Sequence, residues 1–308
     1  MQAGFGFHSL FNIPDTLLLH IVIIVLLVLA AAISAATGIH RGIQVLSSFN
    51  VIIAVGLIIA MIILGPGLFI FDSFIEAFGI YIRDFFTLST FRGDETWLSS
   101  WTVFFFAWFL GYGPMMTIFV SRISRGRTVR ELVTAVAVIA PVISTFWFTV
   151  VGGTGIFKEL LSPGSVSEAL NSNGPPAAMI AITEQLPFGT IFGVMFLLAT
   201  IIFVLTTTDS MSLTISMAIS GHGDPPKLMR VFWAMLMGAV AILLLTIGGG
   251  SIDALQSFIV VTAVPVVFLM LTTFWTAPKA CVEMAKIQGI DTGQTVEKSN
   301  PDEKVTVE

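Results

Sequence analysis

Residues 97–130 read WLSSWTVFFFAWFLGYGPMMTIFVSRISRGRTVR. The stretch opens as an apolar run loaded with rings and closes on Arg122, Arg125, Arg127 and Arg130. Trp101, Phe105, Trp108 and Tyr112 fall at i, i+4, i+7 and i+11, which puts all of them on one face of an α-helix. About 20 apolar residues cross a bilayer core, so the run reads as a membrane span. The arginines read as its cytoplasmic anchor, because basic residues concentrate on that side. A row of electron-rich ring faces attracts a cation that has no N–H to donate.

Six further runs share this character, roughly 17–38, 50–71, 132–151, 188–219, 229–247 and 255–277. Seven spans predict an all-α polytopic membrane protein. Composition agrees, with 56% hydrophobic and 11% charged residues, the latter less than half of the soluble average of about 25%. Residues 72–88, DSFIEAFGIYIRDFFTL, keep a helical apolar period broken by Asp72, Glu76, Arg83 and Asp84. They read as one interfacial helix. Residues 152–187 read as a long loop with a short amphipathic piece at 177–186. The transmembrane domain is placed at 1–287 and a polar, disordered tail at 288–308. Cys281 is the single cysteine, which excludes an intramolecular disulfide and a cysteine metal cluster. No nucleophile elbow, phosphate loop, metal-ligand helix or nucleic-acid motif occurs, so neither an enzyme nor a nucleic-acid partner is expected.

Basic residues set the topology. His40 and Arg41 follow the first span, the arginine run joins the third and fourth, Lys227 and Arg230 join the fifth and sixth, and Lys279 and Lys286 follow the seventh. If each run crosses once, all of these fall on one side, and the C-terminus is cytoplasmic. The N-terminus is then outside, with residues 1–16 a translocated tail. That oddity is the mark of a chain lacking an odd number of earlier spans, so a C-terminal portion of a longer protein is expected.

Three sites stand out, each with two readings. The aromatic stripe is either a cation-binding face or a surface for lipid and helix packing. Gly111, Gly113 and Pro114 are expected to loosen the helix beside it. Residues 188–219 are too many for one straight crossing, and Thr206 to Ser210 interrupt them. A hydroxyl cluster there is expected to bend or break the helix. Asp209 is the one acidic residue inside a predicted span, which makes it a gating candidate or a structural group capping a half-helix. The arginine run is either the anchor alone or also a gating contact. His20, His40 and His222 lack ligand spacing; His20 reads as a satisfied polar group and the others as loop residues.

The chain resembles the betaine/choline/carnitine transporters over WTVFFFAWFLGYGP with SRISRGRTVREL, STFWFTVVGGTG at 144–155 and TTTDSMS at 206–212. FNIPDT at 11–16 and SAATGIHRGIQVLSSFN at 34–50 match as well, so the resemblance covers residues 4 to about 285. It implies a partial LeuT-like inverted-repeat fold, beginning at the sixth of twelve spans. It implies a secondary transporter of quaternary ammonium compounds in the plasma membrane, and a homotrimer.

By the same resemblance Trp108, Phe109 and Tyr112 hold the trimethylammonium group, with Phe104 and Phe105 above them. Phe109 and Phe106 stand where the family often has Trp. Thr206, Thr207 and the Phe203 carbonyl match ligands of a sodium site, with Na+ as coupling ion and no other cofactor. Two alternatives remain: an inactive remnant or half-transporter needing a separate N-terminal half, and an unrelated LeuT-like amine or amino-acid carrier.

Overall fold

The computed structural model describes residues 1–37, 40–221, 225–249 and 253–289. The predicted tail from residue 290, His222, and the side chains of His40 and Arg41 lie outside the described residues. Twelve helices and no strand occur among the described residues, counting α-helix and adjoining π-turn together. They are α1 (Gln2–Phe11), α2 (Leu17–Thr37), α3 (His40–Leu64), α4 (Gly67–Arg83), α5 (Phe85–Thr90), α6 (Glu95–Ile123), α7 (Val129–Leu161), α8 (Ser167–Asn173), α9 (Pro175–Glu184), α10 (Gly189–Ser220), α11 (Lys227–Ile247) and α12 (Asp253–Ile287). Seven of them, α2, α3, α6, α7, α10, α11 and α12, are long and apolar enough to cross a membrane. The chain is an all-α polytopic membrane protein.

The tightest pairing joins α2 to α11. Ala31 and Ala35 on α2 are fully buried, as is Ala234 on α11, one turn from Gly238. A Cβ at Gly238 would lie 2.5 Å from the Val28 side chain. Small residues four apart let two backbones approach, which is what drives association where lipid is as apolar as leucine. Helix α10 lies centrally and touches α1, α2, α3, α6, α9 and α11. A second core gathers Leu57, Met61, Ile70, Val150, Phe192 and Phe196 from α3, α4, α7 and α10.

Side-chain contacts fix the helix directions. Tyr112 meets Met211 and Arg122 meets Met217, so α6 and α10 run parallel. Gly111 faces Ala263 and Gly113 faces Met270, so α12 runs with them. Gly6 faces Leu197 and Gly193 faces Leu10, so α1 runs against α10. The ends of α6, α10 and α12 and the start of α11 therefore share one end of the bundle. That end carries the arginine run, Lys227, Lys279 and Lys286, as the charge pattern requires.

Three expectations need correction. The stretch 152–187 is not a loop: α7 continues to Leu161, and α8 and α9 follow. The Glu159 carboxylate ties this region together, accepting from the backbone N–H of Gly164 (2.7 Å), Val166 (2.8 Å) and Ser167 (3.1 Å) and from the Ser167 hydroxyl (2.6 Å). The predicted interfacial helix starts earlier, at Gly67, and breaks at Asp84, after which α5 begins. Finally, α10 is one unbroken α-helix through Thr206–Ser210. Its 32 residues reach about 48 Å at 1.5 Å per residue, longer than a bilayer core of about 30 Å.

Candidate substrate and ion sites

The expected ring ladder forms on α6. Trp101 stacks on Phe105 with centroids 5.9 Å apart at 11°, Phe104 on Trp108 at 5.8 Å and 28°, and Trp108 on Phe109 at 5.9 Å and 28°. Phe105 also lies 5.8 Å from Trp108, so Trp108 is the hub. Every recorded ring neighbour of Trp108 among the described residues belongs to α6 itself. Trp108 is 44% exposed and Phe109 68%, whereas Phe104 and Phe105 are half-buried. Tyr112 turns inward and donates its hydroxyl to Met211 Sδ at 3.0 Å, joining the base of the ladder to α10.

The helix is not loosened at Gly111–Pro114. It stays α-helical from Phe104 to Ile123. A Cβ at Gly111 would sit 3.1 Å from that of Ala263, and one at Gly113 3.2 Å from Met270. These glycines let α12 approach. The helical irregularity lies about two to four turns earlier, as a π-turn over Leu98–Val103 that carries Trp101.

On α10 the hydroxyls bond back into the helix instead of breaking it. Thr206 Oγ1 donates to the carbonyls of Ile202 (2.9 Å) and Phe203 (3.1 Å), and Thr208 Oγ1 to that of Val204 (2.8 Å). Back-bonding of this kind bends helices slightly without opening them. It also brings together two of the expected sodium ligands, the Phe203 carbonyl and the Thr206 hydroxyl. Thr207 is half-buried on the same stretch. Oxygen donors of this type suit a hard cation. No cluster of His, Cys, Asp or Glu fit for a metal ion occurs among the described residues.

Asp209 is neither at a break nor capping a half-helix. It is buried and faces α11, where Arg230 Nη2 lies 3.3 Å from Oδ1 and 3.4 Å from Oδ2. Arg230 is only 5% exposed. The sequence reading placed it among the topology-setting loop residues; it is instead a buried cation one turn inside α11. Its position after the helix start, with Lys227 already serving the interface, was the available signal.

The arginine run makes a tight turn. Gly126 takes φ +84°, and Thr128 caps α7 by accepting from the Glu131 N–H at 3.2 Å while Glu131 Oε2 accepts from the Thr128 N–H at 3.0 Å. Arg125, Arg127 and Arg130 are exposed, and Arg122 Nη1 donates to Met217 Sδ at 3.2 Å. One feature escaped the sequence reading altogether. A cleft of about 700 Å³ opens between α3, α7 and α10, lined by Asn50, Trp147, Phe148, Phe196, Thr200 and Phe203. The Asn50 Oδ1 atom in its wall is buried without a hydrogen-bond partner among the described residues.

Residues 1–286 match the family model for the betaine/carnitine/choline transporters. The chain is 45% identical over 290 residues to glycine betaine transporter 2 of Vibrio parahaemolyticus, covering 94% of this chain and 54% of that protein. It is 32% identical to the ectoine/glycine betaine/proline transporter EctP of Corynebacterium glutamicum, covering 99% of this chain and 51% of EctP. It is 30% identical to the ectoine/hydroxyectoine transporter of Virgibacillus pantothenticus, covering 89% and 56%. The chain thus spans about half the length of the curated relatives it matches.

Proposed function

This chain belongs to the betaine/carnitine/choline transporter family, and we propose that it forms the C-terminal part of a secondary carrier for quaternary ammonium solutes of the glycine betaine type. The observation that carries this reading is the ladder centred on Trp108, exposed on α6 and free of facing rings from other described helices. A desolvated cation–π contact contributes about 2 kcal/mol. Two or three of them reach roughly 4–6 kcal/mol, a Kd from about 1 mM to about 40 μM before ordering costs. Useful affinity therefore requires rings from the remainder of a full-length carrier. The reported relatives are named for glycine betaine, proline, ectoine and hydroxyectoine, and family membership sets aside the unrelated amine carrier.

In this reading Trp108, Phe109 and Tyr112 hold the cationic head, with Phe104 and Phe105 lining its approach. Na+ is the coupling cargo at Phe203, Thr206 and Thr207, on the α10 stretch that also borders the cleft. In the same reading the arginine end of the bundle faces the cytoplasm, because basic residues concentrate at cytoplasmic span ends, and the end of α12 lies on that side of the plasma membrane. LeuT-like carriers alternate access by rocking one repeat against the other.

A second reading is a half-carrier that is inert alone. It is favoured by the exposed ladder and by the coverage of only 54% of the Vibrio relative. One experiment tests both. Reconstitute the chain with and without the remaining half of a family carrier, and follow labelled glycine betaine under a sodium gradient. We expect saturable uptake only with both halves, lost in Trp108→Ala. Uptake by the chain alone would overturn the half-carrier reading, and full uptake in Trp108→Ala would remove the cage. Thr206→Val with Thr207→Val should weaken the sodium dependence; an unchanged dependence would remove the ion site.

A further inference from the structure

A side-chain hydrogen bond joins the helix that carries the rings to the helix that carries the expected ion ligands. Tyr112 on α6 donates its hydroxyl to Met211 Sδ on α10 at 3.0 Å, in a partly buried seam. Met211 lies one turn beyond Thr207, and Tyr112 one turn beyond Trp108. Residues four apart share a face of an α-helix, and both helices are unbroken through these turns. Because α6 and α10 run parallel, Trp108 and Thr207 lie on the same side of the bond, each about 6 Å before it along its helix axis. The rings for a cationic head and the oxygens for an ion therefore stand at one depth, on the two helices that this bond joins.

We propose that Met211 is a positioning residue that couples substrate binding to ion binding. Its sulfur sets the orientation of the Tyr112 ring, and an ion held at Thr207 fixes the turn of α10 from which that sulfur projects. The proposal rests on the reading that the α6 rings take the cationic solute and that Phe203, Thr206 and Thr207 take Na+. The chemistry of the pair suits the role. A thioether is a weak acceptor on an unbranched, adaptable side chain, so the bond is readily broken and remade as α10 shifts. This sulfur is the recorded partner of the Tyr112 hydroxyl among the described residues. A partly buried hydroxyl left unpaired is costly, so without the sulfur the ring turns toward another partner. A cation–π contact needs the cation over the ring face, and a turned ring loses it. Linkage makes the effect reciprocal: sodium and substrate raise each other's affinity by the same factor.

The test pairs the full chain with the remaining half of a family carrier in proteoliposomes. It measures the KM for labelled glycine betaine at low and at saturating sodium. A neutral hydrogen bond shifts an equilibrium by roughly two- to tenfold. Met211→Leu nearly keeps the volume. We expect it to cut the sodium-induced fall in KM by about three- to fivefold, while kcat at saturating sodium and substrate changes less than about twofold. Tyr112→Phe should cut the sodium response by the same factor, and the double variant no further. Met211→Gln, whose amide oxygen can accept from the hydroxyl, should keep most of the response. A lower kcat with an unchanged sodium response in Met211→Leu would mark a packing role and overturn the proposal. So would additive losses in the double variant, or a loss in Met211→Gln equal to that in Met211→Leu. Should Met211→Leu fail to insert, Tyr112→Phe reads the same bond from its donor side, and an unchanged response there overturns the proposal. Sodium-stimulated uptake with an unchanged response in both single variants overturns the coupling alone. No sodium-stimulated uptake by the unmutated pair overturns the coupling together with the reading beneath it.

Discussion

Helices α6 and α10 are both apolar enough to cross a bilayer, yet they are packed in opposite ways. Over its most apolar stretch α10 buries 28% of its residues and α6 buries none. Two of the partners of α10 share its state, with 22% for α2 and 22% for α11, whereas α7 and α12 reach only 6% each. Apolarity does not decide the difference, because lipid satisfies an apolar face as well as protein does. Small and polar residues decide it. The buried group holds Ala31, Ala35, Ala234, Gly238 and the Asp209–Arg230 pair. The exposed group carries large rings on α6, with glycines only where α12 touches it. One region is packed within the chain, and the other presents a ring-lined face that no other described helix covers with rings.

The strongest way to break that contrast is to remove the fastener of the scaffold. Arg230→Met takes away one partner of the buried Asp209 carboxylate. Breaking one side of a buried ion pair costs about 3–5 kcal/mol, whereas replacing both sides with apolar residues is often neutral. Reversible unfolding in mixed micelles should therefore show a large loss for Arg230→Met and substantial recovery in Asp209→Leu/Arg230→Met. Equal losses in both would mean that the pair is incidental to scaffold stability.

The α2–α11 seam gives the next effect. Gly238→Leu drives a side chain into Val28, and such overpacking costs about 1–3 kcal/mol. Gly56 on α3 is the counterpart, since a Cβ there meets nothing within 4 Å. Gly56→Ala should stabilise by about 0.5–1 kcal/mol through the unfolded chain alone. The same unfolding assay reads both, and a loss in Gly56→Ala would show that α3 is crowded on a face that the structure leaves open.

What the sequence made legible follows from local physics. Seven apolar runs specify seven helices long and apolar enough to cross a membrane, and the arginines after the third mark a span end. The ring ladder is readable because it depends only on helical spacing. What stayed hidden is non-local. Hydroxyls at Thr206 and Thr208 are compatible with a break or with back-bonding, and only the packing of α10 against its neighbours selects the unbroken helix. Arg230 looks like an interfacial arginine until Asp209 is seen facing it. Trp147 and Phe148 lay in a matching motif, but their cleft is assembled from helices distant in sequence.

The smallest expected effect is the most discriminating. Phe106 and Phe109 are 66% and 68% exposed, so replacing either with Leu should change the stability of the chain by less than about 0.5 kcal/mol. Phe109→Trp should be equally silent in unfolding. Its larger quadrupole should nonetheless strengthen a cation contact, and with the other half of the carrier supplied the apparent affinity for glycine betaine should rise about two- to fivefold. Silence in stability with a gain in affinity would assign this face to the ligand. A stability change in the chain alone would mean that Phe109 is packed after all, and the contrast between α6 and α10 would fail at the residue on which the cation cage depends.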